Sequence, residues 1–306
     1  MKKKEILVYL SFSILIFFNA NCLSPNKNYP NINTHKSFNP DSLLKSENSV
    51  ELIIESEFDT YLLKQVVWVK VDIINNTNSN YYSSDPGSLI FNIIEPGGKR
   101  VKEKIIYNNA IGDTVFVLKP GERYQDIMSL ETYMDWYDYK VGTYKISCAL
   151  NGDGYNNIPN LESNIVAIEV VQPKGDDKKL FDLTGNLGMY PTTGEKILYL
   201  NNLINQYSKS VYIPQLYGRL IVFSQSRNLG IFESSCNKYF NRYFDFFETK
   251  QILTSYVIHL KHDKKLSNEE IDQINLDLAN RNQTEKSKII FDSFYRLTYK
   301  QIKERL

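Results

Sequence analysis

Cysteine and histidine number only three each in 306 residues. At that density the chain cannot be a disulfide-stapled scaffold. Neither sign of charge is in excess: 36 basic residues face 35 acidic ones, and a net charge of +1 exerts no broad pull on nucleic acid. No phosphate-cradling glycine motif, serine nucleophile elbow or paired-carboxylate signature is present. No catalytic residue, metal site or cofactor is therefore expected. After the first residues, no segment is apolar enough to cross a membrane. What the chain has in quantity is aromatic, with 22 Tyr and 16 Phe, which suits β-sandwich faces and helix packing. With 42% apolar residues, a chain this long has room for about two domains of ordinary size.

The start carries its own signal. Met1-Lys2-Lys3-Lys4 is basic, Ile6 to Phe18 is almost unbroken apolar sequence, and Asn19-Ala20-Asn21 leads to Cys22. A basic stretch followed by a short apolar one is an export signal. The apolar run falls well short of the roughly 20 residues of a bilayer-spanning helix. Phe18-Asn19-Ala20 lacks the small residues an ordinary signal-peptidase site needs at both recognition positions. Residues 1–22 resemble a bacterial lipoprotein signal, departing from it at Asn19 and Asn21. The resemblance implies that residues 1–21 are removed and that Cys22 is lipidated. It also implies a membrane partner held through the lipid. Leu23, where many inner-membrane lipoproteins carry Asp, points to the outer membrane of the cell envelope. Residues 22–47 are rich in Asn, Ser and Pro without periodicity and read as a flexible tether.

From about Val50 the apolar period becomes two. Val67, Val69, Val71 and Ile73 alternate with Trp68, Lys70 and Asp72, and Asn75-Asn76-Thr77-Asn78 ends the strand. Leu89, Phe91 and Ile93 run into the turn Glu95-Pro96-Gly97-Gly98-Lys99. Val115–Leu118 leads into a second turn, Lys119-Pro120-Gly121-Glu122, followed by a strand near Tyr124–Leu130. Gly142–Cys148 and Ile165–Val171 complete the set. Strands at this spacing, with no helical stretches between them, argue for an antiparallel sandwich over residues 48–172.

Two segments sharpen this. Lys119-Pro120-Gly121-Glu122 before a strand, and Gly142-x-Tyr144-x-Ile146 opening the penultimate strand, resemble an immunoglobulin-like β-sandwich. Modules of this kind occur in bacterial surface lipoproteins and in the BsuPI-type proteinase inhibitors. The resemblance implies that Tyr144 forms a tyrosine corner, its hydroxyl bonding nearby backbone. Ile146 stands where antibody domains place a disulfide cysteine, so that bridge is absent. The inhibitor resemblance implies an alternative role, blocking an envelope protease through an exposed loop.

Residues 173–191, charged and punctuated by Gly185, Gly188 and Pro191, read as an exposed linker. After it the period is 3.6. Thr192-Thr193-Gly194-Glu195 offers a capping box, and Ile197, Leu200, Leu203, Ile204 and Tyr207 form one stripe. Further helices are expected from Pro214 to Ser224, near Phe232–Phe247, near Lys250–Lys261, after Ser267-Asn268-Glu269-Glu270, and from Thr284. Their pairing at roughly forty-residue intervals resembles a tetratricopeptide-type array, and an irregular helical bundle is the other reading for residues 192–306. The fold class expected is thus multidomain β plus α.

The chemistry-bearing residues are read blandly. His35 falls in the tether, and His259 and His262, three apart on a helix, could share a metal. Only Asp263 stands near as a third ligand, and both are read as solvated surface histidines. Cys148 and Cys236 could pair in an oxidising compartment, but two separately buried thiols is the preferred reading. Asn151–Asn157 faintly resembles a calcium loop, yet Tyr155 stands where an oxygen ligand is needed, so it reads as a Gly-rich turn. Trp68, on the face opposite Val67, Val69 and Val71, is a candidate contact with a protein partner or with the helical domain, and an inter-sheet or edge packing role is the other reading. Tyr239 and Tyr243 are candidate partner contacts too, expected on the half-wet border of an aromatic helix whose Phe240, Phe244 and Phe247 form the core side. A helix wedged between two others inside the array is the preferred reading of its wide apolar arc, and a groove for a partner the other. The function expected is a lipid-anchored binding or scaffolding module. Cys22→Ala is expected to abolish fatty-acid labelling and leave the precursor uncleaved. Labelling that persists in the variant would remove the anchor.

Overall fold

The computed structural model describes residues 49–83, 89–101, 116–132, 140–150, 160–300 and 302. Cys22, the signal, the tether, His35 and the Asn151–Asn157 loop lie outside the described residues. The chain divides into two compact units. A β unit ends at Val171, and a helical unit begins at Gln172 and also takes in Lys64–Val66.

In the β unit the strands are β1 Val50–Ser56, β2 Thr60–Leu62, β3 Trp68–Asn75, β4 Tyr81–Ser83 and β5 Ile90–Ile94. They continue as β6 Phe116–Leu118, β7 Arg123–Ser129, β8 Gly142–Leu150, β9 Leu161–Glu162 and β10 Val166–Val171. One sheet has the order β1-β3-β7, and the larger one runs β2-β10-β8-β5 with β9 beside β8. A small sheet pairs β4 with β6. β1 packs across β8, β9 and β10 of the larger sheet, so the two sheets face each other. Matching β1, β3 and β7 to strands A, B and E, and β5, β8 and β10 to C, F and G, gives A-B-E over C-F-G. That is the strand order of an immunoglobulin-like sandwich. Among the described strands, β2 and β10 run parallel and the other strand pairs antiparallel, and a single parallel bridge joins Leu52 of β1 to Ser163.

Register explains the core. Val69, Val71 and Ile73 have no exposed surface, and Leu52 and Ile54 lie on the same face of β1. From the larger sheet, Phe91, Ile93, Tyr144, Ile146, Cys148, Ile168 and Val170 are buried with them. β3 departs from simple alternation, because Trp68, Lys70 and Asp72 on its other face are buried too. Polar bonding makes that tolerable, as described below.

The turns follow their residue chemistry. Asn75 ends β3 by accepting from the backbone N–H (3.0 Å) and hydroxyl (2.7 Å) of Thr77. Its amide donates to the carbonyls of Ser79 and Leu118. Pro120 and Gly121 form the turn before β7. Gly121 has φ +75°, a value that suits glycine, and Glu122 N–H closes the turn on Lys119 O at 3.0 Å. Tyr144 forms the expected corner: its hydroxyl donates to Lys140 O at 3.0 Å and accepts from Lys140 N–H at 2.8 Å.

The helical unit contains α1 Gly175–Thr184, α2 Thr193–Gln206, α3 Ile213–Gln225, α4 Leu229–Tyr243 and α5 Thr249–His262. α6 Asn268–Arg281 and α7 Glu285–Ser293 follow, and a π-helical segment, Phe294–Tyr299, continues from α7. Each helix from α2 on packs against the next, α3 also reaches α5, and α5 reaches α7. None among the described residues is long and apolar enough to cross a membrane. The capping boxes at Thr192/Glu195 and Ser267/Glu270 form as expected, and Thr284 caps α7.

The expected linker is the main difference. Much of residues 173–191 is helical, in α1 and in a 3-10 turn at Gly185–Met189. Asp176 and Asp177 sit in the first turn of α1, where the helix dipole favours negative charge. Leu180 is buried, and Asp177 accepts from Ser210 Oγ at 2.5 Å and Val211 N–H at 2.9 Å. That tertiary anchor, 33 residues away, is invisible in the local pattern. The aromatic helix also stops at Tyr243, earlier than its apolar run. Phe246 N–H turns back to Tyr243 O (3.1 Å), and Thr249 N–H to Phe246 O (2.9 Å).

Tyr144→Phe is expected to destabilise the β unit by about 1–3 kcal/mol, the cost of stranding the Lys140 backbone groups. Gly142→Ala should also destabilise it, since Gly142 has φ +131° and a Cβ there would meet Pro96 at 2.8 Å. Urea titration of each variant measures both losses.

Candidate functional site

Each unit embeds a cluster of charge. In the β unit, β3 carries Lys70 and Asp72 on one face, and β7 brings Arg123 and Gln125 alongside. Asp72 Oδ1 accepts from Arg123 Nε and Gln125 Nε2, both at 2.8 Å, and Oδ2 pairs with Arg123 Nη2 at 2.8 Å. This bidentate fork holds the Arg123 guanidinium above its ordinary pKa, chiefly through the Asp72 hydrogen bonds. Lys70 Nζ lies 2.8 Å from Glu55 Oε2 and 3.2 Å from Asp72 Oδ2, so a fully buried ammonium is matched by two carboxylates. Trp68 is buried on this same face.

The second cluster is at the C-terminal end of α5. His259 is fully buried, which corrects the expectation of a solvated histidine. Its Nδ1 lies 2.8 Å from Asp263 Oδ2, one turn on along the chain, and its Nε2 lies 2.8 Å from Glu233 Oε1 of α4. The same Glu233 oxygen pairs with Lys264 Nζ at 2.7 Å. Phe232 meets the ring edge-on, with centroids 4.8 Å apart. Lys264 first, and His259 second, hold the Glu233 carboxyl below the usual glutamate value of 4.5. Its stabilising contribution is therefore present above that value and is lost as pH falls through the lowered folded one. With both ring nitrogens occupied by carboxylates, His259 as placed is a tie between helices, with no nitrogen open to a substrate or an ion.

The two described thiols sit apart from such chemistry. Cys148 and Cys236 are free and buried, one in each unit. Burial pushes the Cys148 thiol up to about 12. Burial first, then the nearby Glu233 charge, raises that of Cys236 as well. Among the described residues no group of three His, Cys, Asp or Glu could hold a metal ion.

The proposed partner contacts are placed differently from expectation. Trp68 belongs to the β unit, and Tyr239 and Tyr243 to the helical unit. All three are buried. Tyr243 packs on Tyr217 of α3 (5.9 Å between centroids) and on Phe246 (6.0 Å). Tyr239 packs on Tyr243 (5.7 Å) and edge-on to Phe240 (6.4 Å). The arc expected to be half wet is enclosed, because the chain folds back after Tyr243 and α3 lies against it. No local signal in the sequence announces Glu233 as the partner of His259; only the His259–Asp263 spacing of four residues was readable.

The chain matches no protein family and no curated protein. Among solved structures it is similar to the CARDB domain of the PF1109 protein from Pyrococcus furiosus, solved in complex with di-metal ions. That match has 15% identity and a TM-score of 0.26, covering 41% of this chain and 94% of that one. It is also similar to Spo0M, a sporulation control protein from Bacillus subtilis, at 14% identity and a TM-score of 0.26, covering 45% and 56%. A β-glucosidase, EmGH1 from Erythrobacter marinus, matches at 18% identity and a TM-score of 0.24, covering 40% and 15%. Likeness at this level says nothing of function, and the immunoglobulin-like fold rests on the strand order and the tyrosine corner.

Alanine at Tyr239, Phe240, Tyr243, Phe244 or Phe247 is expected to cost about 3–5 kcal/mol at each position, as for buried aromatics generally. Denaturant unfolding of the five variants checks this. Clearly smaller losses at the two tyrosines would mean their rings are not core.

Proposed function

We propose that the protein is a lipid-anchored component of the cell envelope, delivered to the outer membrane, whose two units act as a binding or scaffolding module. The observation that carries this reading is the chain's start: a basic and then apolar leader ending at Cys22, followed by an Asn-, Ser- and Pro-rich stretch. Several acyl chains on Cys22 would hold the protein at the membrane almost irreversibly, at about 0.8 kcal/mol per buried methylene. An immunoglobulin-like sandwich supports the binding role, since the fold presents loops from a rigid frame. The internal spending of charge supports it too: Asp72, Lys70, Glu233 and His259 bond to side chains of their own unit. The resemblance of Lys119–Glu122 and Gly142–Ile146 to an immunoglobulin-like sandwich, a module also found in BsuPI-type inhibitors, supports instead the alternative role, blocking an envelope protease through an exposed loop.

Cross-linking of the full-length protein in intact envelopes, followed by identification of what it holds, tests the role. A structural or transport assembly, recovered with the wild type and lost with Cys22→Ala, is the expected result. Recovery of a protease would replace scaffolding with inhibition. No partner above the background of an unrelated lipoprotein would overturn the proposal.

A further inference from the structure

The histidine tie between α4 and α5 has a property beyond holding two helices together. Ionised carboxylates accept hydrogen bonds and cannot donate them. Glu233 and Asp263 each approach a different nitrogen of the His259 ring at 2.8 Å. Both contacts are satisfied at once when the ring carries both protons. The charges agree, since an imidazolium and the Lys264 ammonium balance the two carboxylates. The ring also lies in the last turn of α5, where the helix dipole favours a cation. Asp263 is the C-cap of that helix, an unfavourable place for a carboxylate unless a cation faces it.

We propose that His259 is a proton-operated latch: doubly protonated, it clamps the α5–α6 turn to α4, and loss of one ring proton releases that turn. With a neutral ring, one nitrogen presents a lone pair to a carboxylate, so an attractive contact becomes a repulsive one. The turn it holds is poised to move. Lys265 sits there at φ +55°, a left-handed conformation that residues with a Cβ adopt unwillingly. The Asp263 and Lys264 N–H groups bond to His259 O at 2.9 and 3.2 Å, and Leu266 N–H bonds to Leu260 O at 3.1 Å. Those three amides therefore report directly on the latch.

The titratable groups around the ring come from three elements. α4 contributes Glu233 and Cys236, α5 contributes Tyr256, His262 in the same last turn and the Asp263 cap, and the turn contributes Lys264. Lys261 is turned away to Asn268 of α6, at 2.6 Å. Burial raises Cys236 and Tyr256, which keeps both neutral near neutral pH. Histidine is the side chain whose charge ordinarily changes between about pH 5 and about pH 8.

Hydrogen–deuterium exchange of the full-length protein, corrected for intrinsic rates, tests the latch. Protection of the Asp263, Lys264 and Leu266 amides is expected to fall at least about tenfold from about pH 5 to about pH 8, the scale of one lost charge-assisted hydrogen bond. Glu233→Gln should flatten this step, because an amide can accept from a protonated nitrogen or donate to a bare one. Lys264→Gln and His262→Gln should each leave the step in place, and loss of the step in His262→Gln would assign it to that ring instead and overturn the proposal. Nitrogen-15 spectra of the unmodified protein should show both His259 nitrogens protonated at the acid end. Protection independent of pH in the wild type, an equal fall in Glu233→Gln, or a singly protonated ring at about pH 5 would each overturn the proposal.

Discussion

A cation removed from water must be met by carboxylates at hydrogen-bond distance, since a lone buried charge costs several kcal/mol even after relaxation. The β unit is arranged around that constraint, and the helical unit sets a buried imidazole between carboxylates in the same manner. In the β unit the ammonium of Lys70 lies between Glu55 and Asp72, and Asp72 is in turn gripped by Arg123. In the helical unit the imidazole of His259 lies between Glu233 and Asp263, with Lys264 behind Glu233. In each case the group comes from a central element, β3 or α5; Lys70 meets Glu55 of β1 and Asp72 of its own strand, and His259 meets Glu233 of α4 and the Asp263 cap of its own helix. Such pairing adds little net stability over an apolar core of the same volume. It penalises any register that separates the partners, which here means a slip of β7 on β3 or of α4 on α5.

Around these polar points the packing is aromatic. Phe240 touches Phe244 and Tyr256, Phe244 stacks on Phe291, and Phe291 meets Phe294. The rings thus run from α4 through α5 and α7 into the π-helical segment. Large flat side chains with few rotatable bonds fill the space between helices that cross irregularly, where the small residues of a regular array are missing.

How much of this was legible in the sequence depended on how local the cause was. The period-two run at Val67–Ile73, the Pro120–Gly121 turn, the Tyr144 corner and the capping boxes all rest on bonds within a few residues, and the sandwich-plus-helices fold followed from them. α1 was hidden because a charged, glycine-started segment looks like a linker until Ser210 and Val211 grip Asp177. The burial of Trp68, Lys70 and Asp72 was hidden for the same reason. Asp72 finds Arg123 across a separation of 51 residues. His259 was misread because its burial depends on Glu233, 26 residues earlier and on another helix. The half-wet border expected at Tyr239 and Tyr243 assumed a straight helix through Phe247, whereas the chain turns back at Tyr243 and closes over them.

The parallel pairing of β2 with β10 has a mechanical meaning. Glu169 N–H bonds to Asp59 O at 2.8 Å and Leu63 N–H to Val171 O at 2.9 Å, and between them Thr60, Tyr61 and Leu62 pair with Glu169, Val170 and Val171. The chain enters β2 from the N-terminal side and leaves β10 toward the helical unit. Because the strands are parallel, those two points lie at opposite ends of the ladder. Tension applied along the chain across this strand pair would load these hydrogen bonds side by side, in shear. An antiparallel pair pulled from one end opens like a zip, one bond at a time; a parallel pair pulled from its opposite ends shares the load among its bonds.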